Sequence, residues 1–147
     1  MSTLQTTVSA AVIQMVSGTA MADNVTSAQR LITQAVQAGA QLISLPENWA
    51  LMGVRETDKL AIAEDFIGEA TSAENTPLQD FLRHQAIKYG IYLIAGTIPL
   101  KSDDPRKVYN TTLIYSPTGE IEARYDKIHL FGFSNGLESY SEADAIM

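Results

Sequence analysis

The first 46 residues constrain the fold of this chain more than any other stretch, because they read as strand, helix, strand. Val8-Ser-Ala-Ala-Val-Ile-Gln-Met-Val16 has the apolar, β-branched character of a mostly buried strand. Residues 17–24 are small and polar, and Asp23 or Asn24 can cap a helix. Val25, Ala28, Leu31, Ile32, Ala35 and Val36 then recur at helical spacing and form one apolar face. Gly39 lies just past them, where a left-handed residue often stops a helix. Gln41-Leu-Ile-Ser-Leu45 predicts a second strand, closed by Pro46. This order favours a parallel crossover unit with a covered sheet, and so an α/β fold. Glu47 stands directly after Pro46, at the C-terminal strand end where such sheets place their chemistry.

Further along, residues 48–75 are less regular, with a short helix expected around 56–65 and a surface loop after it. Thr76-Pro-Leu-Gln79 predicts a helix start, with Thr76 as cap, Pro77 at the first helical position and Gln79 closing a capping box. Leu78, Phe81, Leu82 and Ala86 supply its buried face, and Gly90 ends it. Ile91–Ile98 reads as one more buried strand, and the charged residues 101–107 as an exposed loop. Val108–Tyr115 and Glu120–Tyr125 flank Ser116-Pro-Thr-Gly119, which has the proline and glycine of a hairpin turn. Residues 1–7 are polar and predict a loose start. The tail from Gly132 to Met147 has few apolar anchors and no closing element. Nothing divides the sequence, so residues 1–147 are expected to be part of a single domain.

Composition narrows the function. Seventeen acidic residues against ten basic ones give a formal charge of −7, which disfavours general binding to nucleic acid or anionic membrane surfaces. There is no cysteine, hence no disulfide framework and no cysteine metal site. His84 and His129 are too isolated for a structural zinc site. The first 22 residues lack the basic and apolar regions of a signal peptide, and no run is long and apolar enough to span a membrane. A cytoplasmic protein without cofactor is the expectation. No Gly-x-Gly-x-x-Gly or P-loop supports a nucleotide-binding reading.

Three places carry candidate chemistry. Glu47, in Leu45-Pro-Glu-Asn-Trp49, is a carboxylate that a strand end can hold rigidly and partly desolvate, which suits a general base. Read locally, it equally caps the next turn or pairs with a surface lysine. Lys127, in Arg124-Tyr-Asp-Lys-Ile-His-Leu-Phe131, follows a strand among aromatic and apolar neighbours. With a carboxylate nearby it can stay charged and stabilise an oxyanion, or it is an ordinary strand-end lysine. His129 reads as a packed or hydrogen-bonding residue, because nothing near it resembles a triad partner. In the tail, Glu138 and Glu142 are each most simply solvated acids.

Taken in order, these segments resemble the nitrilase superfamily of carbon–nitrogen hydrolases. The resemblance runs from about Val8 to the C-terminus. It rests on Ala11-Val-Ile-Gln-Met15, Leu45-Pro-Glu47, Tyr109-Asn-Thr-Thr112, Ser116-Pro-Thr-Gly119 and Tyr125-Asp-Lys-Ile-His-Leu-Phe131. It implies an α-β-β-α sandwich, incomplete in this chain, and a metal-free Cys–Glu–Lys triad acting on an amide or nitrile. Glu47 matches the base and Lys127 the oxyanion stabiliser. Glu142 matches a second, supporting glutamate, with Glu138 the alternative across a variable loop. The Lys-Ile-His-Leu-Phe form is similar to Nit-type amidases acting on ω-amides or deaminated glutathione, with a true nitrilase as the nearest rival. Homo-oligomers are implied for the full-length protein. The family's cysteine lies some tens of residues beyond the lysine motif, past Met147. The sequence is therefore expected to be the N-terminal part of a longer, catalytic chain. The competing expectation is a short, non-catalytic interaction protein.

Overall fold

The structure, a computed structural model, describes residues 7–68, 75–136 and 138–147. The expected loose start falls almost wholly outside these residues, as does part of the loop after residue 65. The opening unit is strand, helix, strand as expected: β1 (Ala10–Val12), α1 (Met21–Gln37) and β2 (Leu42–Ser44). β1 and β2 pair in parallel, with Ala11 opposite Ile43. The first strand is shorter than its apolar run. Val8, Val12 and Val16 are all exposed; Val12, the one of them within the strand, is 85 % exposed on a side of the sheet that no described residue covers.

The helix also begins earlier than its cap signal. Ala20 is the N-cap, without a side-chain bond, and Asn24 lies a turn inside α1, buried. Its amide receives the Gly18 N–H at 2.8 Å and donates to the carbonyls of Gly18 (2.8 Å) and Ala50 (3.0 Å). Asn24 thus ties the loop after β1 to the segment after Glu47. A buried amide with all these bonds made is worth more there than as a helix cap.

A 3₁₀ helix spans Glu56–Ile62, followed by α2 (Pro77–Tyr89), which ends at left-handed Gly90. Thr76 and Gln79 do not form the expected capping box. Buried Glu64 replaces it, accepting the backbone N–H groups of Leu78 (2.5 Å) and Gln79 (3.1 Å) and the Gln79 amide (3.0 Å). A carboxylate at a helix N-terminus meets both the free donors and the dipole. Burial nonetheless dominates, and the Glu64 carboxyl is pushed above its ordinary range despite those bonds.

The predicted strand at 91–98 is two, β3 (Tyr92–Ile94) and β4 (Ile98–Lys101), both antiparallel to the long β5 (Val108–Tyr115). Leu93 and Ile94 pair with Tyr115 and Ile114, and Ile98 to Lys101 with Thr111 to Val108. Between them the register steps by one residue, so the break is a bulge rather than a turn. Gly96 occupies it at φ +58°, and a Cβ there would stand 2.0 Å from the Pro46 carbonyl oxygen. Only glycine meets both demands.

The hairpin is as expected, β5 pairing with β6 (Ile121–Asp126) across Ser116–Gly119. The tail departs from expectation. It forms a small antiparallel pair, β7 (Gly132–Ser134) and β8 (Ser139–Ser141), then a 3₁₀ turn at Glu142–Asp144. Ala145 and Ile146 are fully buried beside Val108, so these two residues anchor it.

β1 to β6 form one sheet. Ile43, Leu93, Leu113 and Tyr115 pack with Ala28, Ile32, Leu78, Leu82 and Ala86 of the helices in a single core. On the opposite face lie Val12, Ser44, Ile94 and Ile114, aligned across four strands. Among the described residues no helix covers that face, and no helix is long and apolar enough to cross a membrane.

Candidate active site

Glu47 is placed by a strained elbow. After β2, Leu45 donates its N–H to the Ile94 carbonyl (3.0 Å) and so stays beside β3. Asn48 then takes a left-handed conformation, φ 54°, which asparagine tolerates better than most residues. Its N–H is held by the Thr97 hydroxyl at 2.8 Å. Trp49 is fully buried, donates its indole N–H to the Ala95 carbonyl at 2.7 Å and packs against Phe81. Pro46 lies over Gly96. The bulge residues 95–97 therefore grip the chain on both sides of Glu47.

Lys127 is placed by the hairpin. Side chains alternate along a strand, so Asn110 and Thr112 of β5 share the open face with Tyr125 of β6 and with Lys127 just beyond it. Lys127 extends the ladder by donating its backbone N–H to the Asn110 carbonyl at 3.0 Å. Its ammonium reaches Glu47 Oε1 at 3.0 Å and Glu142 at 2.9 Å (Oε1) and 2.8 Å (Oε2). The Asn110 side-chain amide donates to the same Glu47 Oε1 at 2.9 Å. Glu142 is buried, and its Oε2 also accepts the Phe131 backbone N–H at 2.6 Å. One ammonium thus bridges two carboxylates. Ser44, Ile94, Thr97, Asn110, Thr112 and Tyr125 join Glu47 and Lys127 around an open hollow of about 370 Å³.

The charges are matched to each other. Burial alone would raise the Glu142 carboxyl, but Lys127 and the Phe131 N–H outweigh it and hold the group below its usual 4.5. Burial alone would lower the Lys127 ammonium, yet its bonds to Glu142 and Glu47 raise it above 10.5. The sign of the pH effect follows. The contribution of Glu142 is present above 4.5 and lost as pH falls through its lowered value. That of Lys127 is present below 10.5 and lost as pH rises through its raised value. The expected result is that the melting temperature of the native protein falls more steeply on acidification below pH 4.5 than that of a Glu142→Gln variant. Parallel curves would refute this.

Of the sequence candidates, Glu47, Lys127 and Glu142 come together. Glu138 does not; it is exposed in the β7–β8 turn, with its N–H on Asn135. His129 and His84 are exposed too. Glu47 is less desolvated than expected, its side chain 49 % exposed, because the face it stands on is open. Asn110 was not anticipated as a site residue. Its signal was an amide in the middle of a β-branched and apolar strand, where asparagine is disfavoured. Gly96 had a similar signal, a glycine inside a strand.

A larger hollow of about 750 Å³ lies on the other side of β5 and β6, lined in part by Phe66, Tyr109, Arg124 and Lys101. Its cations are already paired, Lys101 with Asp65 (2.9 Å) and Arg124 with Asp126 (3.2 Å).

Comparison with known proteins agrees with this architecture. The chain matches the carbon-nitrogen hydrolase family over residues 9–144. It is 37 % identical over 123 residues to a deaminated glutathione amidase from Synechocystis, covering 83 % of this chain and 42 % of that protein. It is 37 % identical over 122 residues to the Homo sapiens omega-amidase NIT2, covering 82 % of this chain and 40 % of that one. The C. elegans NitFhit protein superposes with a TM-score of 0.77 at 26 % identity, over 94 % of this chain and 32 % of that one. The chain spans about two fifths of the length of the curated relatives it matches.

Proposed function

Because this chain belongs to the carbon-nitrogen hydrolase family, we propose that residues 1–147 are the N-terminal part of a single amidase domain, which hydrolyses the C–N bond of a small-molecule amide. The observation that carries the reading is the bridge from Glu47 through Lys127 to Glu142 on an uncovered sheet face. The remainder of the domain supplies the second sheet of the sandwich and the cysteine, which this sequence lacks.

In this reading each residue has one task. Glu47 takes the proton of the cysteine thiol, and the thiolate attacks the amide carbon. Lys127 is held charged by its two carboxylates and stabilises the oxyanion of the tetrahedral intermediate. Glu142 fixes Lys127 so that the ammonium faces the reacting carbon. Glu47 returns its proton to the departing amine, and water then cleaves the thioester.

The names of the two curated relatives support an ω-amide or deaminated glutathione as substrate. The test is a turnover panel with the complete protein, comparing an ω-amide, deaminated glutathione and a simple nitrile. Hydrolysis of one of the amides above a Glu47→Gln control is expected. Turnover of the nitrile alone would replace the amidase reading.

The open face supports the domain reading. A sheet that leaves Val12, Tyr92 and Tyr125 exposed has apolar surface to bury. Residues 1–147 expressed alone are therefore expected to bind a hydrophobic dye and to associate. A monomer with one cooperative unfolding transition and no dye binding would count against the incomplete sandwich.

A further inference from the structure

The two donors that reach Glu47 converge on one oxygen. Lys127 Nζ lies 3.0 Å from Oε1 and Asn110 Nδ2 2.9 Å from the same atom. Among the described residues, Oε2 has no hydrogen-bond partner. A carboxylate accepts only, so the Asn110 atom facing it is the amide nitrogen. Two donors on one oxygen stabilise negative charge there and make it the poorer proton acceptor. The proton goes to the other oxygen.

Asn110 is also the better fixed of the two donors. It is buried in the middle of β5, paired with Pro99 of β4 on one side. On the other side its carbonyl accepts the Lys127 backbone N–H. One residue therefore holds Glu47 through its side chain and Lys127 through its main chain. Lys127 by contrast is a long side chain shared between two carboxylates. With Lys127 alone, the half-exposed Glu47 carboxylate can turn about a single contact and exchange its oxygens.

We propose that Asn110 is a positioning residue that pins Glu47 Oε1 beside Lys127 and so assigns Oε2 as the oxygen that takes the nucleophile's proton. This rests on the amidase reading above. In the step concerned, the S–H bond of the cysteine thiol breaks and the proton bonds to Oε2. The electron pair stays on sulfur as the attacking thiolate. Asn110 gains and loses nothing. Its amide is neutral, so it orients the base without adding to the charge that Lys127 supplies.

The test uses Asn110→Leu, which has the same branched skeleton and no donor, and Asn110→Asp, which keeps the shape but sets a second carboxyl in place of the donor. In the complete protein kcat should fall by about 100-fold, the scale of an ångström-sized misplacement of a catalytic group, with KM changed by less than about threefold. A variant that melts with the wild type and keeps kcat within about threefold would overturn the proposal. Glu47→Gln run in parallel separates the two levels. If it is inactive while the Asn110 variants are active, only the positioning role falls. If it keeps wild-type turnover, the base itself is misassigned and the proposal falls with it.

A second readout needs no turnover. ¹³C-lysine NMR of the complete protein follows the Lys127 ammonium directly. In Asn110→Leu, the Glu47 carboxylate turns about its single contact and spends less time beside Lys127, so the midpoint should fall by a fraction of the roughly 1–3 units that a nearby opposite charge is worth. An unchanged midpoint would mean that Asn110 serves the strand alone, and would overturn the proposal.

Discussion

Replacing Glu47 by glutamine in the complete protein is expected to lower amide turnover by at least about 10³-fold, within the range that a positioned general base supplies. Glutamine preserves the shape of the elbow and still accepts from Asn110 and Lys127. It cannot take a proton, so the cysteine thiol stays protonated and weakly nucleophilic. The fold should be little affected, because Glu47 is half exposed and its backbone is held independently by Thr97, Trp49 and Gly96. The measurement is kcat/KM beside a thermal melt. A variant with the wild-type melt and more than a tenth of its kcat/KM would remove Glu47 from the chemistry. Residues 1–147 alone, which hold no cysteine, should hydrolyse nothing above this variant.

Lys127→Ala should strike both activity and stability. Loss of an oxyanion-stabilising donor typically costs about 10² to 10³ in kcat. Stability suffers because Glu142 is buried, its side chain only 6 % exposed, and would keep a charge with no cation beside it. Breaking a buried pair from one side costs about 3–5 kcal/mol, and partial exposure of Lys127 reduces this to roughly 2–3 kcal/mol. Adding Glu142→Gln should recover a large part of that loss, because the unpaired charge disappears. It should recover none of the activity. Denaturant titration of the single and double variants checks the first statement. Purely additive losses would mean that Lys127 and Glu142 do not depend on each other.

What the sequence reveals depends on how local the determining physics is. α2 is legible because Pro77 and Gly90 are signals within one element, and the β5–β6 hairpin because its turn residues stand together. Glu47 and Lys127 are legible as strand-end charges, since the strands themselves are. Local reading made each an ordinary surface residue, and only the order of the flanking motifs joined them. The partners chosen across the fold were hidden. Glu64 takes over the cap of α2 from 14 residues before Leu78, and Asn110 meets Glu47 from 63 residues away. Asn24 carried a true polar signal with the wrong destination, because a cap and a buried cross-link use the same amide. Ala145 and Ile146 were overlooked in a polar tail, where two side chains are too few to show a period.

The bulge at Gly96 has a consequence for which insertions and deletions this protein tolerates. Side chains alternate along a strand, so one extra residue inverts their phase. Before the bulge, Leu93 points toward the helices; after it, Ile98 and Leu100 do, all fully buried. Delete one residue from 95–97 and the ladder against β5 becomes regular, with Ile98 and Leu100 still opposite Thr111 and Tyr109 and still facing the helices. What disappears is the bulge itself, whose Thr97 holds the Asn48 N–H and whose Gly96 makes room for Pro46. A one-residue deletion there is thus felt at the elbow and not in the sheet: the strand residues keep their sides, and Glu47 loses its footing.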